Sequence, residues 1–200
     1  DMMDNSYWDH NGFSKLLLDW TGAYLVGDSN MIHNVTLRNA DTHPDLVVIM
    51  PQQKGLLFDE YFIVQNRIRS GNDSTLADTT PLYNEGIVIF HVDARLNAKG
   101  DDFYYNNSYT SHKLLRLMEA DGDERIETID GWADAGDFYM EGSSLSSASI
   151  PDSDSYSSLD RNGAYVTNIS PGWSARSATF INAADSFFPN LKWVLDNNTT

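Results

Sequence analysis

The sequence contains no cysteine, which excludes disulfide bonds, zinc sites with thiolate ligands and a cysteine nucleophile. Basic residues are also scarce, because 13 Lys and Arg stand against 29 Asp and Glu and leave a formal net charge of −16. Nucleic acid or an anionic membrane surface would repel this charge, so we expect neither as a partner. Bound cations would balance it. The alternative is that the charge only keeps a secreted protein soluble.

Long hydrophobic runs are absent as well. The longest, residues 46–50 and 86–92, are far too short to cross a bilayer, and we therefore expect no membrane span. No basic segment followed by an apolar one stands at the start of the chain. The chain opens abruptly on Asp1, and we expect it to be part of a longer precursor.

The chain has 200 residues, of which 41% are hydrophobic, and this is enough for one domain with a core. One short helix is predicted near the start, with Asn11 as its N-cap and Gly22 after its end. Four apolar residues of this segment have the i, i+3, i+4, i+7 spacing that places side chains in a single buried stripe of a helix: Phe13, Leu16, Leu17 and Trp20.

Beyond the helix, short β-rich runs alternate with turn residues. This pattern predicts a mostly β fold, an antiparallel β-sandwich or meander with long acidic loops. The predicted strands are 35–39, 46–50, 61–68, 86–93, 113–120, 164–169 and 174–181. The runs 61–68 and 86–93 are apolar for most of their length, which is typical of strands covered on both faces. We expect these two strands at the centre.

The densest chemical signal is the stretch 119–141, where nine carboxylates accompany a single base, Arg125. Carboxylates a few ångströms apart raise one another's pKa or recruit a hard cation, and calcium takes about 6–8 oxygen ligands. The first candidate ligands are Asp134 and Asp137, which flank a glycine that lets the backbone turn.

Asp121 and Asp123 are the second pair of candidate calcium ligands. They do not begin an EF-hand, because Ile126 stands at the sixth position, where that loop requires glycine. The alternative interpretation of the whole stretch is a solvated acidic loop.

The five histidines, His10, His33, His43, His91 and His112, do not supply the catalytic zinc motif. That motif needs two histidines four residues apart on one helix face, and no pair has this spacing. His91 lies inside an apolar run, which favours a hydrogen-bonded core histidine over a metal ligand.

Several segments resemble the part of the immune inhibitor A family of secreted zinc metallopeptidases that follows the zinc-binding helix. Residues 60–67, EYFIVQNR, are similar to the family's EYFLIENR strand, and residues 86–93, GIVIFHVD, to its GLLIWHVD strand. Residues 117–122, LMEADG, resemble LLEADG, and residues 134–138, DAGDF, resemble DAGDPF. Residues 166–170, VTNIS, resemble the closing V.NIS strand.

The start of the chain resembles the same family. Residues 1–4 look like the methionine turn beneath the zinc, with Met3 as its methionine, and residues 14–20 look like the helix that ends in leucine, glycine and tryptophan, except that Asp19 replaces the glycine. The resemblance implies that residues 1–182 are the β-rich C-terminal part of a metallopeptidase-like domain, with the turn and helix in 1–22. Residues 183–200 are then a connector or tail.

The resemblance implies a secreted or cell-surface endopeptidase whose zinc ligands and general base lie upstream of Asp1 in the precursor. The upstream zinc-binding half would be the partner of this chain, a protein would be the substrate, and zinc would be bound only in the full precursor. This chain would support the active site, bind calcium and not be catalytic alone.

Two rival functions stay open. One is a calcium-stabilised β-sandwich binding module for glycans or host proteins, with a sugar-stacking face drawn from Tyr104, Tyr105, Tyr109, Trp132, Tyr139 and Tyr156. The other is a degenerate family member that persists as a non-catalytic scaffold.

Overall fold

The structure of the protein is a computed structural model. It describes residues 9–27, 31–50, 57–74, 84–108, 112–127, 133–156, 163–172 and 174–182. The predicted Met3 and the predicted tail 183–200 lie outside the described residues, as does the segment 128–132 of the acidic stretch.

Within this part of the chain, two β-sheets and one short α-helix form a mostly β fold. The elements in chain order are α1 (Gly12–Leu17), β1 (Gly22–Val26), β2 (Ile32–Arg38), β3 (Asp45–Ile49), β4 (Glu60–Arg67), β5 (Gly86–Asp93), β6 (Leu115–Leu117), β7 (Ala164–Thr167) and β8 (Ala175–Asn182). Sheet A has the order β1-β3-β4-β5-β6, and sheet B has the order β2-β8-β7. Every pairing is antiparallel except that of β1 with β3. The predicted fold class is confirmed.

Sheet A is covered on both faces, which explains the apolar runs in β4 and β5. Phe62 and Val64 belong to the core shared with sheet B, whereas Tyr61 and Ile63 belong to the core on the helix side. The alternation follows from the two-residue period of a strand, because both faces of the sheet are buried. β4 lies in the middle of sheet A, paired along its whole length with β5, so the prediction that these strands are central is confirmed.

The helix begins as predicted and ends earlier than predicted. Asn11 is its N-cap and accepts a hydrogen bond from the Ser14 backbone N–H at 2.8 Å. The helix ends at Leu17, and the chain then turns through Asp19, whose φ is +57°. The predicted burial of Leu17 and Trp20 is therefore wrong: they are 39% and 55% exposed. Trp20 lies beyond the end of the helix, and the helix residues that pack against the core of sheet A are Phe13 and Leu16.

Five stacked rings join sheet A to the Ser- and Asp-rich segment 142–156. The order is Phe62, His91, Tyr156, His112, Tyr105, and neighbouring ring centroids are 4.2, 4.2, 4.1 and 3.5 Å apart. We call this group the ring stack. Tyr156 is its middle member and holds the segment 142–156 against β5.

Each histidine of the ring stack is bonded to a buried carboxylate. His91 lies 2.9 Å from Glu60 Oε1, and the other oxygen of Glu60 accepts the Ser155 hydroxyl at 2.8 Å. His112 lies 2.5 Å from Asp93 Oδ2. His91 is thus a buried, hydrogen-bonded core residue, as its apolar run predicts.

Candidate metal centre

Three carboxylates converge beside β5. Glu119, Asp121 and Asp137 each present an oxygen, and these oxygens all lie within 4.8 Å of one another. Glu119 and Asp137 are 2% and 3% exposed, and Asp121 is exposed. We call this group the acidic cluster.

Strand β5 brings the two segments of the acidic cluster together. On one edge it pairs with β6, through Phe90 and Leu117, which lies just before Glu119. On the same edge Ile87 exchanges backbone hydrogen bonds with Tyr139, which lies just after Asp137, at 2.8 and 3.1 Å. The loops next to these two contacts must therefore meet.

The loop after β6 is organised by its own carboxylates. Glu119 accepts the backbone N–H groups of Arg125 at 2.6 Å and Ile126 at 3.0 Å. Asp121 Oδ1 accepts the N–H of Asp123 at 3.0 Å. These bonds fix the direction of the Glu119 and Asp121 side chains without neutralising their charge.

The second segment is a 3₁₀ turn, Ala135–Asp137, that starts with a reciprocal capping box. Asp134 Oδ1 accepts the N–H of Gly136 at 2.7 Å, and Asp137 Oδ2 accepts the N–H of Asp134 at 2.7 Å. Asp137 is held in one orientation by this bond. Its other oxygen, Oδ1, takes no hydrogen bond from any described residue.

Glycine at position 136 permits the close approach of the two segments. A Cβ atom there would lie 2.1 Å from Asp121 Oδ2 and 3.0 Å from Asp134 Oδ1. No side chain fits at the shorter of these distances, so the Asp121 carboxylate occupies the volume that any other residue at 136 would fill.

Basic residues form ion pairs with some of the acidic residues in the stretch 119–141, but not with those of the acidic cluster. Arg116 binds Glu124 at 2.5 Å, Arg125 binds Asp134 at 2.8 Å, and Lys113 pairs with Glu127. Glu119, Asp121 and Asp137 have no ion pair with any basic residue that the structure describes. The uncompensated negative charge is therefore concentrated at one point.

The pKa values reflect this concentration. Burial, together with the neighbouring Glu119, Asp134 and Asp121 carboxylates, raises the pKa of Asp137 to about 7, against the opposing effect of the hydrogen bond from the Asp134 N–H. Burial also raises the pKa of Glu119, with Asp121 and Glu127 adding to the effect. Without a cation, the folded protein resists the ionisation of these groups.

The geometry of the acidic cluster fits a calcium ion. Calcium–oxygen distances are about 2.3–2.6 Å, so two oxygens bound to one ion are at most about 5 Å apart, and the three oxygens of the acidic cluster, all within 4.8 Å of one another, meet this condition. Asp121 is at the solvent edge, where water can complete the coordination. The ligands are all oxygens, and no described group of three ligating side chains contains histidine, so the described residues do not fit a zinc centre.

The predicted ligands have different positions in the structure. Asp121 and Asp137 are in the acidic cluster, whereas Asp134 caps the 3₁₀ turn and binds Arg125, and Asp123 is exposed and contributes its backbone N–H to Asp121. Sequence analysis does not single out Glu119, which is buried and is the third residue of the LMEADG segment. The one feature of the sequence that indicates burial of Glu119 is its position directly after the apolar residue Met118.

Two of the six residues predicted for an aromatic face do not offer an exposed ring. Tyr139 is 1% exposed, and Tyr156 lies inside the ring stack. Tyr104 is 64% exposed, and Tyr109 and Trp132 lie outside the described residues. Searched over its described residues, the chain has no helix of the length and apolarity that crossing a bilayer requires.

Comparison with known proteins finds no matching family model, no matching curated protein and no matching solved structure.

Proposed function

We propose that this chain is the calcium-stabilised β-sandwich part of a secreted zinc metalloendopeptidase of the immune inhibitor A type. It supports the active site and is not catalytic alone. The observation that supports this proposal most strongly is spatial: the two acidic segments that resemble the family, LMEADG and DAGDF, meet in the acidic cluster. They are separated by 11 residues along the chain, from 123 to 133.

The two strands that resemble the family are also neighbours. EYFIVQNR is β4 and GIVIFHVD is β5, and their pairing runs from Glu60 opposite Asp93 to Arg67 opposite Gly86. β5 in turn pairs with both segments of the acidic cluster. The four segments thus form one continuous structural unit, which supports a common origin for them.

The role of calcium would be to fix the two loops against β5. Calcium binding would require Glu119 and Asp137 to be ionised. Burial and the neighbouring carboxylates oppose this ionisation, and the positive charge of the ion would compensate for both effects. Zinc chemistry would belong to the upstream half of the precursor, because the sequence of this chain lacks the two histidines four residues apart and its described residues form no group that fits zinc.

Calorimetric titration with calcium tests the metal part of the proposal. We expect binding by the unmodified chain and a loss of at least tenfold in affinity for Glu119→Gln and Asp137→Asn. Asp152→Asn is the matched control, since Asp152 is exposed, lies outside the acidic cluster and should leave affinity unchanged. Equal affinity in all four proteins would contradict the proposed site.

A protease assay tests the family part. The chain alone should not cleave denatured casein, and the full precursor, read from its gene, should contain His-Glu-x-x-His upstream of Asp1 and cleave it in the presence of zinc. A precursor without that motif would contradict the peptidase assignment while leaving the calcium site intact.

A further inference from the structure

A second candidate site lies beside α1 and shares no residue with the acidic cluster. It is an open pocket of about 420 Å³ whose wall includes Trp20, Asp41, Thr42, His43 and Asn72, with Lys15 among its lining residues. This volume lies within the range of about 300–1,000 Å³ that is typical of small-molecule sites. The lining combines one large aromatic ring with several short polar groups.

Trp20 is held at the pocket by a strained backbone. The residue before it, Asp19, has a φ of +57°, which is unfavourable for a side chain other than glycine, and Trp20 N–H bonds the Lys15 carbonyl at 2.9 Å. The ring of buried His10 packs against the indole in an edge-on contact at 5.3 Å. The indole is nevertheless 55% exposed, so its position is fixed while much of its surface faces solvent.

Asp41 is equally well fixed. Its Oδ1 accepts the Asn72 N–H at 3.2 Å, and its own N–H bonds the Asn39 side-chain oxygen at 3.2 Å. Its carboxylate also lies against Gly71, where a Cβ atom would be 1.8 Å from Oδ2 and where φ is +51°. A glycine is therefore needed at 71 to place this carboxylate.

The charge of Lys15 is neutralised inside the protein. Its ammonium binds Asp9 Oδ2 at 2.5 Å and the Ala40 carbonyl at 2.6 Å. The lysine is therefore a poor attractant for an anionic ligand. Besides Lys15, its partner Asp9 and the buried His10, the polar lining consists of the Asp41 carboxylate, the Thr42 hydroxyl, the His43 imidazole and the Asn72 amide.

We propose that this pocket binds a neutral sugar residue. The C–H face of a pyranose ring would lie on Trp20, and its hydroxyl groups would bond Asp41 and Asn72, because a sugar hydroxyl both donates to carboxylates and accepts from amides. An ammonium ligand would need acceptors alone, whereas this wall also offers the N–H donors of Asn72. None of the aromatic residues predicted for a sugar-stacking face lines this pocket.

Saturation-transfer NMR with methyl glycosides of glucose, galactose, mannose and N-acetylglucosamine tests the proposal. We expect transfer to at least one glycoside, with affinity reduced about tenfold or more in Trp20→Ala and in Asp41→Asn, the loss that one stacking or charged hydrogen-bond contact gives. Leu18→Ala is the control, because Leu18 is 50% exposed, precedes Trp20 by two residues and is not part of the pocket lining.

Three results would overturn the proposal: no transfer to any of the four glycosides at millimolar concentration, binding that persists in both variants, or displacement of the glycoside by tetramethylammonium. The last result would identify a pocket for cations. Thermal melts of both variants confirm that they are folded, which is expected because the Trp20 side chain is largely exposed and Asn preserves the shape of Asp41.

Discussion

The carboxylate of Asp121 lies where the side chain of residue 136 would be, with Oδ2 only 2.1 Å from the Cβ position of Gly136. The two residues belong to different loops, and each loop is attached to the same edge of β5. The glycine is therefore a structural requirement of the acidic cluster as well as a turn residue.

Replacing Gly136 by alanine should weaken calcium binding. The methyl group would push Asp121 away from Glu119 and Asp137, and we expect at least a tenfold loss of calcium affinity in a calorimetric titration. Gly22→Ala is the matched control, because no atom lies within 4 Å of the Cβ position there. An unchanged affinity in Gly136→Ala would mean that Asp121 is not a ligand.

Asp137→Asn should change how stability depends on pH. The pKa of Asp137 is about 7 in the folded protein against an ordinary 3.8, so the folded state holds a proton that the unfolded state releases between these values. Without metal, this carboxyl costs stability increasingly as pH rises from about 4 to about 7. The variant removes that cost, on the order of 1–2 kcal/mol at pH 8 after allowance for solvent at the edge of the site.

The measurement is urea unfolding of both proteins at pH 5 and pH 8 in chelator. The advantage of Asp137→Asn over the unmodified chain should be larger at pH 8 than at pH 5. An advantage that is the same at both pH values would show that Asp137 ionises normally.

Glu60→Gln should destabilise the fold strongly. Burial alone would raise the pKa of Glu60, but bonds from His91, Ser155 and the Tyr156 N–H hold it below its usual value. Buried hydrogen bonds to a charged group contribute about 1.5–3 kcal/mol each, and the Glu60 carboxylate takes part in three of them, so urea unfolding at pH 7 should show a loss of at least this size. Because the folded pKa is lowered, the difference from the unmodified chain should shrink as pH falls below about 4.5. The exposed pair Arg38 and Asp45 supplies the control, and Arg38→Gln should change little.

Tyr156→Ala should release the segment 142–156. The substitution leaves a gap between His91 and His112. Loss of a fully buried aromatic ring costs about 3–5 kcal/mol, and since Tyr156 is half-buried we expect a smaller loss. Limited proteolysis should cut the variant within this segment under conditions where the unmodified chain is intact. Tyr104→Ala, at an exposed ring, should remain resistant. Equal resistance of both variants would mean that the ring stack does not hold the segment.

Much of the fold is predictable because β4 and β5 are apolar on both faces, a pattern that is typical of strands in the centre of a covered sheet. β1 is not predicted, since Gly22–Val26 has an exposed, mixed pattern and follows a residue expected to end the helix. The burial of Trp20 was predicted from helical spacing, which assumes that the helix continues. The turn at Asp19 depends on tertiary contacts that spacing does not encode.

The sequence predicts that the site is a cluster of carboxylates, but it predicts only some of the residues that form it. Asp121 and Asp137 were expected as ligands from their density and nearby glycines, and the structure places both in the acidic cluster. The partner of Asp134 is Arg125, nine residues earlier in the sequence. Local sequence shows that both charges exist but not that they pair. The role of Glu119 depends on the shared edge of β5, which only the folded chain reveals.

The most direct test of the central claim is elemental analysis after dialysis against trace calcium and zinc, combined with thermal melts. We predict about one calcium and no zinc per chain, with a melting temperature at pH 8 that rises by about 5–10 °C when calcium reaches a hundredfold excess over its Kd. Asp137→Asn should lose both the bound calcium and the rise. Stoichiometric zinc, or a calcium-independent melting temperature, would contradict the proposed calcium-stabilised, non-catalytic role.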